Sequence, residues 1–277
     1  MALHTGTATR EVDVSRFIDL SGALVSGMAN VVLQLSHRPV GYGVLESTVD
    51  SGKVTLHPVK RTRTTLTYVA VALLGTDEER AAYRAAVGKA HRHVHDREGS
   101  PVRYNAFDPD LQLWVAACLY WGAADLYRRM HGTPEPALAD ALYRHSSRFG
   151  TTLQVRESQW PADRAAFAEY WDQAITRVRI DPPVKEYLDN LIDLTMFSWV
   201  TRRFAPIHRF VVTGLLPPQV RAQMGMTWTD RDERTLNRAL HTIGAVEERI
   251  PASIRSLSLR VYLYDLRIRR RLGRPLV

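Results

Sequence analysis

The order of apolar and polar positions along the chain predicts helices almost end to end. An apolar run from about Leu20 to Ser36 reads as a first buried helix, closed by "HRPVGYG", whose Pro39, Gly41 and Gly43 break the pattern. Residues 44–60 read as irregular, with Gly52 and Pro58 as turn signals. "KRTRTTLTYVAVALLG" (60–75) opens basic and becomes apolar. Its β-branched content suits a strand, but its length favours a buried helix ending near Gly75. Thr76 and Glu79 then form a capping box, and acidic Asp77, Glu78 and Glu79 suit the positive start of a helix. This helix is expected to carry the histidines of "KAHRHVHDREG" (89–99) and to end by Gly99 and Pro101.

"DPDLQLWVAACLYWGAADLYRRMHG" (108–132) is the most legible segment. Asp108 can cap, Pro109 fits the first turn, Gly132 closes the pattern, and the middle is apolar on nearly every side. It is expected inside the bundle, as a wall of any pocket. "WPADRAAFAEYWDQAI" and "DPPVKEYLDNLIDLTMFSWVTRRF" read as two further helices, each begun by a proline cue. "VVTGLLPPQVRAQMG" reads as a loop at Gly214 to Pro218 and a short helix, and two helical segments follow from Asp230 to Leu272. With no repeat, linker or alternating strand series, the expectation is all-α: residues 1–19 an N-terminal extension, and 20–277 a single-domain helical bundle with buried central helices.

Composition adds little to this picture. Apolar residues make up 45% and charged residues 24% of 277, ample for a core and against widespread disorder. The net charge is +8, but the one dense basic run is "RIRRRLGR" (267–274), which reads as a solvated helix end rather than a nucleic-acid surface. Leu20–Ser36 is interrupted by Gly22, Ser26, Gly27, Asn30 and Gln34, and Leu111–Ala124 is too short for the roughly 20 apolar residues of a membrane span. Both read as buried helices, with peripheral membrane contact left open. The first residues lack a charged start followed by an apolar run, so a cytoplasmic location is the expectation. The single cysteine, Cys118, excludes an intramolecular disulfide framework.

Candidate chemistry centres on the three clustered histidines. On a continuing helix His91 and His95 share a face and His93 points away. A zinc metalloprotease arrangement would need glutamate where Arg92 stands, and further cysteine or histidine ligands at short spacing are absent. A polar helix end with solvated imidazoles is the plain reading. One inward-facing histidine is also sufficient as the axial ligand of a haem held between helices. Spacing alone leaves these open. Nucleotide-binding glycine loops and a G-x-S-x-G elbow do not occur, and the dispersed tryptophans read as core or pocket wall.

Six segments in order resemble the MpaB-type oxygenase family, which includes the latex-clearing (rubber oxygenase) proteins: "LSHRPVGYGVLES", "RTRTTLTYVAVALLGTDEE", "HRHVH", "YNAFDPDLQLWVAACL", "WPADRAAFAEYWD" and "TGLLPPQVR". The fourth carries Tyr-x-Ala-x-Asp-Pro-x-Leu-x-x-Trp-Val, the most characteristic of them. The resemblance spans roughly residues 20 to 230. It implies an all-α protein binding haem b (iron protoporphyrin IX), with His91 as axial ligand and Arg61 and Thr65 supporting the haem site. It also implies reaction with O2 on a hydrophobic small molecule, with an alkene as the group cleaved. The sequence departs from the family's pattern at Asp96, where glycine is usual, and at His93 and His95. His95 therefore stands as an alternative ligand. Trp114, Cys118 and Trp121 are the expected pocket wall. A non-catalytic haem-binding or scaffold protein of the same fold is the alternative function, and oligomeric state is not legible.

Overall fold

The computed structural model describes residues 20–49 and 53–277, so the expected N-terminal extension and the turn at Gly52 lie outside the described residues. The fold is all-α. In chain order its helices are α1 (Leu20–Leu35), α2 (Arg38–Leu45), α3 (Pro58–Leu74), α4 (Asp77–His91), α5 (Pro109–His131), α6 (Pro136–Thr151) and α7 (Arg164–Ile175). They are followed by α8 (Pro182–Ile192), α9 (Trp199–Arg202), α10 (Ala205–Leu215), α11 (Pro218–Met224), α12 (Asp230–Glu247), α13 (Ala252–Arg255) and α14 (Leu257–Arg271).

Local chemistry sets many of the boundaries. Pro58 starts α3, Thr76 and Glu79 close a reciprocal capping box on α4, and the Asp108 carboxylate caps α5, which Gly132 ends at φ +84°. Four expectations are corrected. Pro39 opens α2 instead of breaking the chain, because its missing N–H falls in the first turn, where no donor is needed. Asp181 fastens that helix, accepting from Arg38 Nε at 2.6 Å and Tyr42 Oη at 3.1 Å. The segment from Asp181 to Phe204 is not one helix: Leu194 adopts a left-handed φ of 56° that ends α8. Gly214 lies inside α10, so the expected loop there shrinks to the residues just before Pro218. Finally, α6 was not anticipated at all.

The long α5 is central, packed by α1, α6, α12 and α10. Its Trp114, Cys118 and Trp121 side faces α7, where Trp171 stacks on Trp114 at 5.6 Å and on Trp121 at 5.0 Å. A smaller core joins Val71 of α3 and Tyr83 of α4 to Leu259, Leu263 and Leu266 of α14. Glu79 and Glu78 at the start of α4 pair with Arg267 (2.7 Å) and Arg270 (2.5 Å) of α14. The basic run is thus partly answered by acidic residues rather than wholly solvated.

Candidate functional site

A cavity of about 490 Å³ lies between α1, α3, α4 and α5. Its volume is in the range of small-molecule and cofactor sites. From α1 it takes Gly22, Ser26, Gly27, Asn30 and Gln34, the five interruptions that broke the apolar run in the sequence. They are polar or small because they face a cavity, while Val32 and Leu33 on the same helix are fully buried in core. From α5 it takes Leu111, Val115 and Leu119, one helical row.

Arg61, Thr64, Thr65 and Tyr68 bring a polar side of α3 to the cavity. Tyr83 on α4 holds this side in register, its hydroxyl donating to the Thr64 carbonyl at 2.8 Å, and the Tyr68 hydroxyl donates to the carbonyl of Phe149. The Arg61 guanidinium has no ion-pair partner among the described residues. It keeps an exposed surface, yet the protein packed around it lowers its proton affinity, partly offset by Tyr83 and Tyr187. Among the described residues no Asp or Glu side chain lines the cavity.

His91 is the last residue of α4 and lines the same cavity. Its Nδ1 is buried without a hydrogen-bond partner, and its ring meets Phe107 edge-on at 6.3 Å. Burial, with the charge of Arg61 second, lowers its pKa from 6.5 to about 4, so the imidazole is neutral at pH 7.

The shared helical face of His91 and His95 does not exist. The helix stops at His91, the Val94 N–H turns back to the His91 carbonyl at 3.0 Å, and the chain then runs antiparallel to the approach to α5. Asp96 N–H donates to Tyr104 O at 2.8 Å and Ala106 N–H to Val94 O at 2.9 Å, with His95 bridged to Asn105. His95 is exposed, its Nδ1 2.9 Å from the Asp96 carbonyl, and like exposed His93 it does not line the cavity. Geometry therefore singles out His91 from the cluster.

The expected pocket wall is also corrected. Trp114, Cys118 and Trp121 do not line the cavity, because helical rotation places them on the α7 side of α5. The Cys118 thiol is wholly buried, which pushes its pKa well up, and its carbonyl accepts from Asn30 Nδ2 at 2.8 Å. Arg61 and Thr65 line the cavity with His91. Asn30, Gln34, Tyr68 and Gln112 were not anticipated as cavity residues. For the α1 pair the signal was present, since polar residues four apart in an apolar helix mark a face. Among the described residues no group of three or more His, Cys, Asp or Glu side chains is placed to hold a bare metal ion.

Residues 15–245 match the family model described as ER-bound oxygenase mpaB/B'/Rubber oxygenase, catalytic domain. Two relatives, an uncharacterized protein of Mycobacterium tuberculosis and one of Mycobacterium bovis, are each 47% identical over 250 residues, covering 90% of this chain and 98% of their own. No solved structure matches.

Proposed function

This chain belongs to the mpaB/rubber oxygenase catalytic-domain family, and on that premise we propose that it is a haem-b-dependent oxygenase acting with O2 on a hydrophobic small molecule. The observation that carries this reading is the neutral imidazole of His91, its buried Nδ1 unpartnered, on a cavity that also holds the unpaired Arg61.

The residues fit an iron protoporphyrin in three respects. Iron takes one neutral imidazole nitrogen, and His91 needs no deprotonation to offer it at pH 7. The propionates of such a group call for a charge-assisted donor, and Arg61 has no competing carboxylate among the described residues. The small residues of α1 leave room for a macrocycle, and the apolar row of α5 can receive an apolar substrate beside it. When bound, the haem would supply an iron centre capable of oxygen chemistry.

The chain's own contribution is binding, orientation and exclusion of water. Arg61, with Thr65 one turn on, would hold an anionic edge. Leu111, Val115 and Leu119 would take up the substrate, for which an alkene-containing molecule is the class the family implies. Leu111, Val115 and Leu119 carry no ionisable group, so they act by shape and polarity rather than as an acid–base pair.

Reconstitution with haem and absorption spectroscopy test the proposal. A Soret band absent from His91→Ala, and a CO-shifted spectrum after dithionite reduction, are the expected results. No band, or one unchanged in His91→Ala, overturns the ligand assignment. A band with no response to CO leaves a haem carrier and overturns the oxygenase.

A further inference from the structure

Helix α14 has two apolar faces. Leu259, Leu263 and Leu266 are buried against α3. On the other side Leu257, Val261, Tyr264 and Leu272 are each more than half exposed, and Ile268 is 37% exposed. At about 100° of rotation per residue these five form one row, and exposed Arg260, Arg267 and Arg271 form the row beside it. Arg260 and Arg271 have no ion-pair partner among the described residues, and Arg267, although held by Glu79, keeps 48% of its side chain exposed. The helix's one acid, Asp265, lies outside both rows and is taken by Arg63 (3.2 Å) and Arg269 (2.8 Å).

Charge decides what covers this face. A second copy of the chain would bring its own arginine row against arginines or apolar side chains, with no carboxylate to answer it. A polyanion in water would engage the arginines and leave the five apolar side chains unsheltered. An anionic lipid surface serves both rows: the apolar side chains enter the headgroup boundary, and the arginines meet the negative headgroups. We propose that α14 is a docking face for an anionic membrane, lying in the plane of the interface. No described helix is long and apolar enough to cross a membrane, so the contact is peripheral. Leu259, on the inner side of the same helix, lines the cavity. A bilayer against α14 would therefore lie about one helix diameter, roughly 10 Å, from the cavity wall.

Sedimentation of the full chain with vesicles tests this without haem or turnover, so its failure is distinct from failure of the oxygenase reading. Binding to phosphatidylcholine vesicles containing phosphatidylglycerol is expected to exceed binding to phosphatidylcholine alone by about a hundredfold, at roughly fivefold per arginine. Added salt should weaken it. The double variant Val261→Asp/Ile268→Asp should abolish binding, and Arg260→Gln/Arg271→Gln should lower it on the order of twentyfold. All four positions are exposed or unpaired, and circular dichroism verifies the fold. Equal binding to both vesicle types, no binding, or binding untouched in both variants overturns the proposal. So does a dimer in solution that Val261→Asp/Ile268→Asp dissociates while the parent chain ignores vesicles, which assigns the face to a second copy.

Discussion

The imidazole of His91 and the guanidinium of Arg61 face one cavity, and the charge on Arg61 adds to burial in keeping His91 neutral. The two are coupled across a wall that, among the described residues, holds no acidic side chain to screen them. Arg61→Met should therefore raise the His91 pKa from about 4 part of the way toward 6.5, read by NMR titration of the ring. It should also weaken haem binding by about ten- to a hundredfold, the scale of one charge-assisted hydrogen bond. A His91 pKa that stays put in Arg61→Met would show that burial alone sets it.

Stability should fall on mild acidification for the same reason. The unfolded His91 takes up its proton near pH 6.5, whereas the folded one resists until about pH 4. Between those values the unfolded state binds more protons, so stability is whole above pH 6.5 and is lost as the pH falls toward 4. The contribution is on the order of 3 kcal/mol by linkage. Half-buried His37 and His145 are also shifted down and act in the same direction. Urea titrations of the haem-free protein at pH 7 and pH 5 check this, with His91→Gln expected to show a smaller drop than the parent.

Much of this was legible in the chain. Capping residues placed the starts of α4 and α5, and the apolar runs placed α1 and the bulk of α3, because those signals are local. The errors arose where tertiary structure decides. The β-bridge between His95 and Asn105 fixes the segment after α4, and nothing near His91 announces that a strand-like clamp with residues ten positions on will end the helix there. The face of α5 that meets the cavity is not legible in the sequence because the helix is apolar all round, and its composition does not distinguish Val115 from Trp114. The interruptions in α1 argue against a membrane span, and Asn30 and Gln34, four apart, also mark the cavity side.

The two sides of α5 should separate in mutagenesis. Trp171→Ala removes the ring sandwiched against Trp114 and Trp121 and should cost about 3–5 kcal/mol of stability. Val115→Phe projects into the cavity and should leave the melting temperature nearly unchanged while blocking haem uptake. Thermal melts and haem titration of the two variants check the assignment, and the opposite pattern would restore the tryptophans as pocket wall.

Glu79 has two tasks, as the N3 partner of the α4 capping box and as the buried partner of Arg267. Burial alone would raise its pKa, but the Arg267 guanidinium and the Thr76 N–H outweigh that and hold the carboxyl below its usual range. Glu79→Ala should lose about 2 kcal/mol, since Arg267 can turn to water while the Thr76 N–H loses its acceptor. Arg267→Ala leaves the capping box intact and should cost less. Denaturant unfolding of the two variants orders them.

Two glycines make opposite predictions from one substitution. A Cβ on Gly244 of α12 would lie 2.4 Å from the Met130 carbonyl oxygen of α5, a backbone atom that cannot swing aside. Gly244→Ala should therefore destabilise by about 2 kcal/mol despite the better helix propensity of alanine, because the close approach of the two helices must open. Gly27 of α1 faces the cavity, and an added Cβ would meet nothing within 4 Å. Gly27→Ala should instead gain about 0.5–1 kcal/mol from reduced backbone freedom in the unfolded chain. Melting temperatures displaced in these opposite directions would establish that the small residues of α1 leave room for a ligand, whereas the small residue of α12 admits a neighbouring helix.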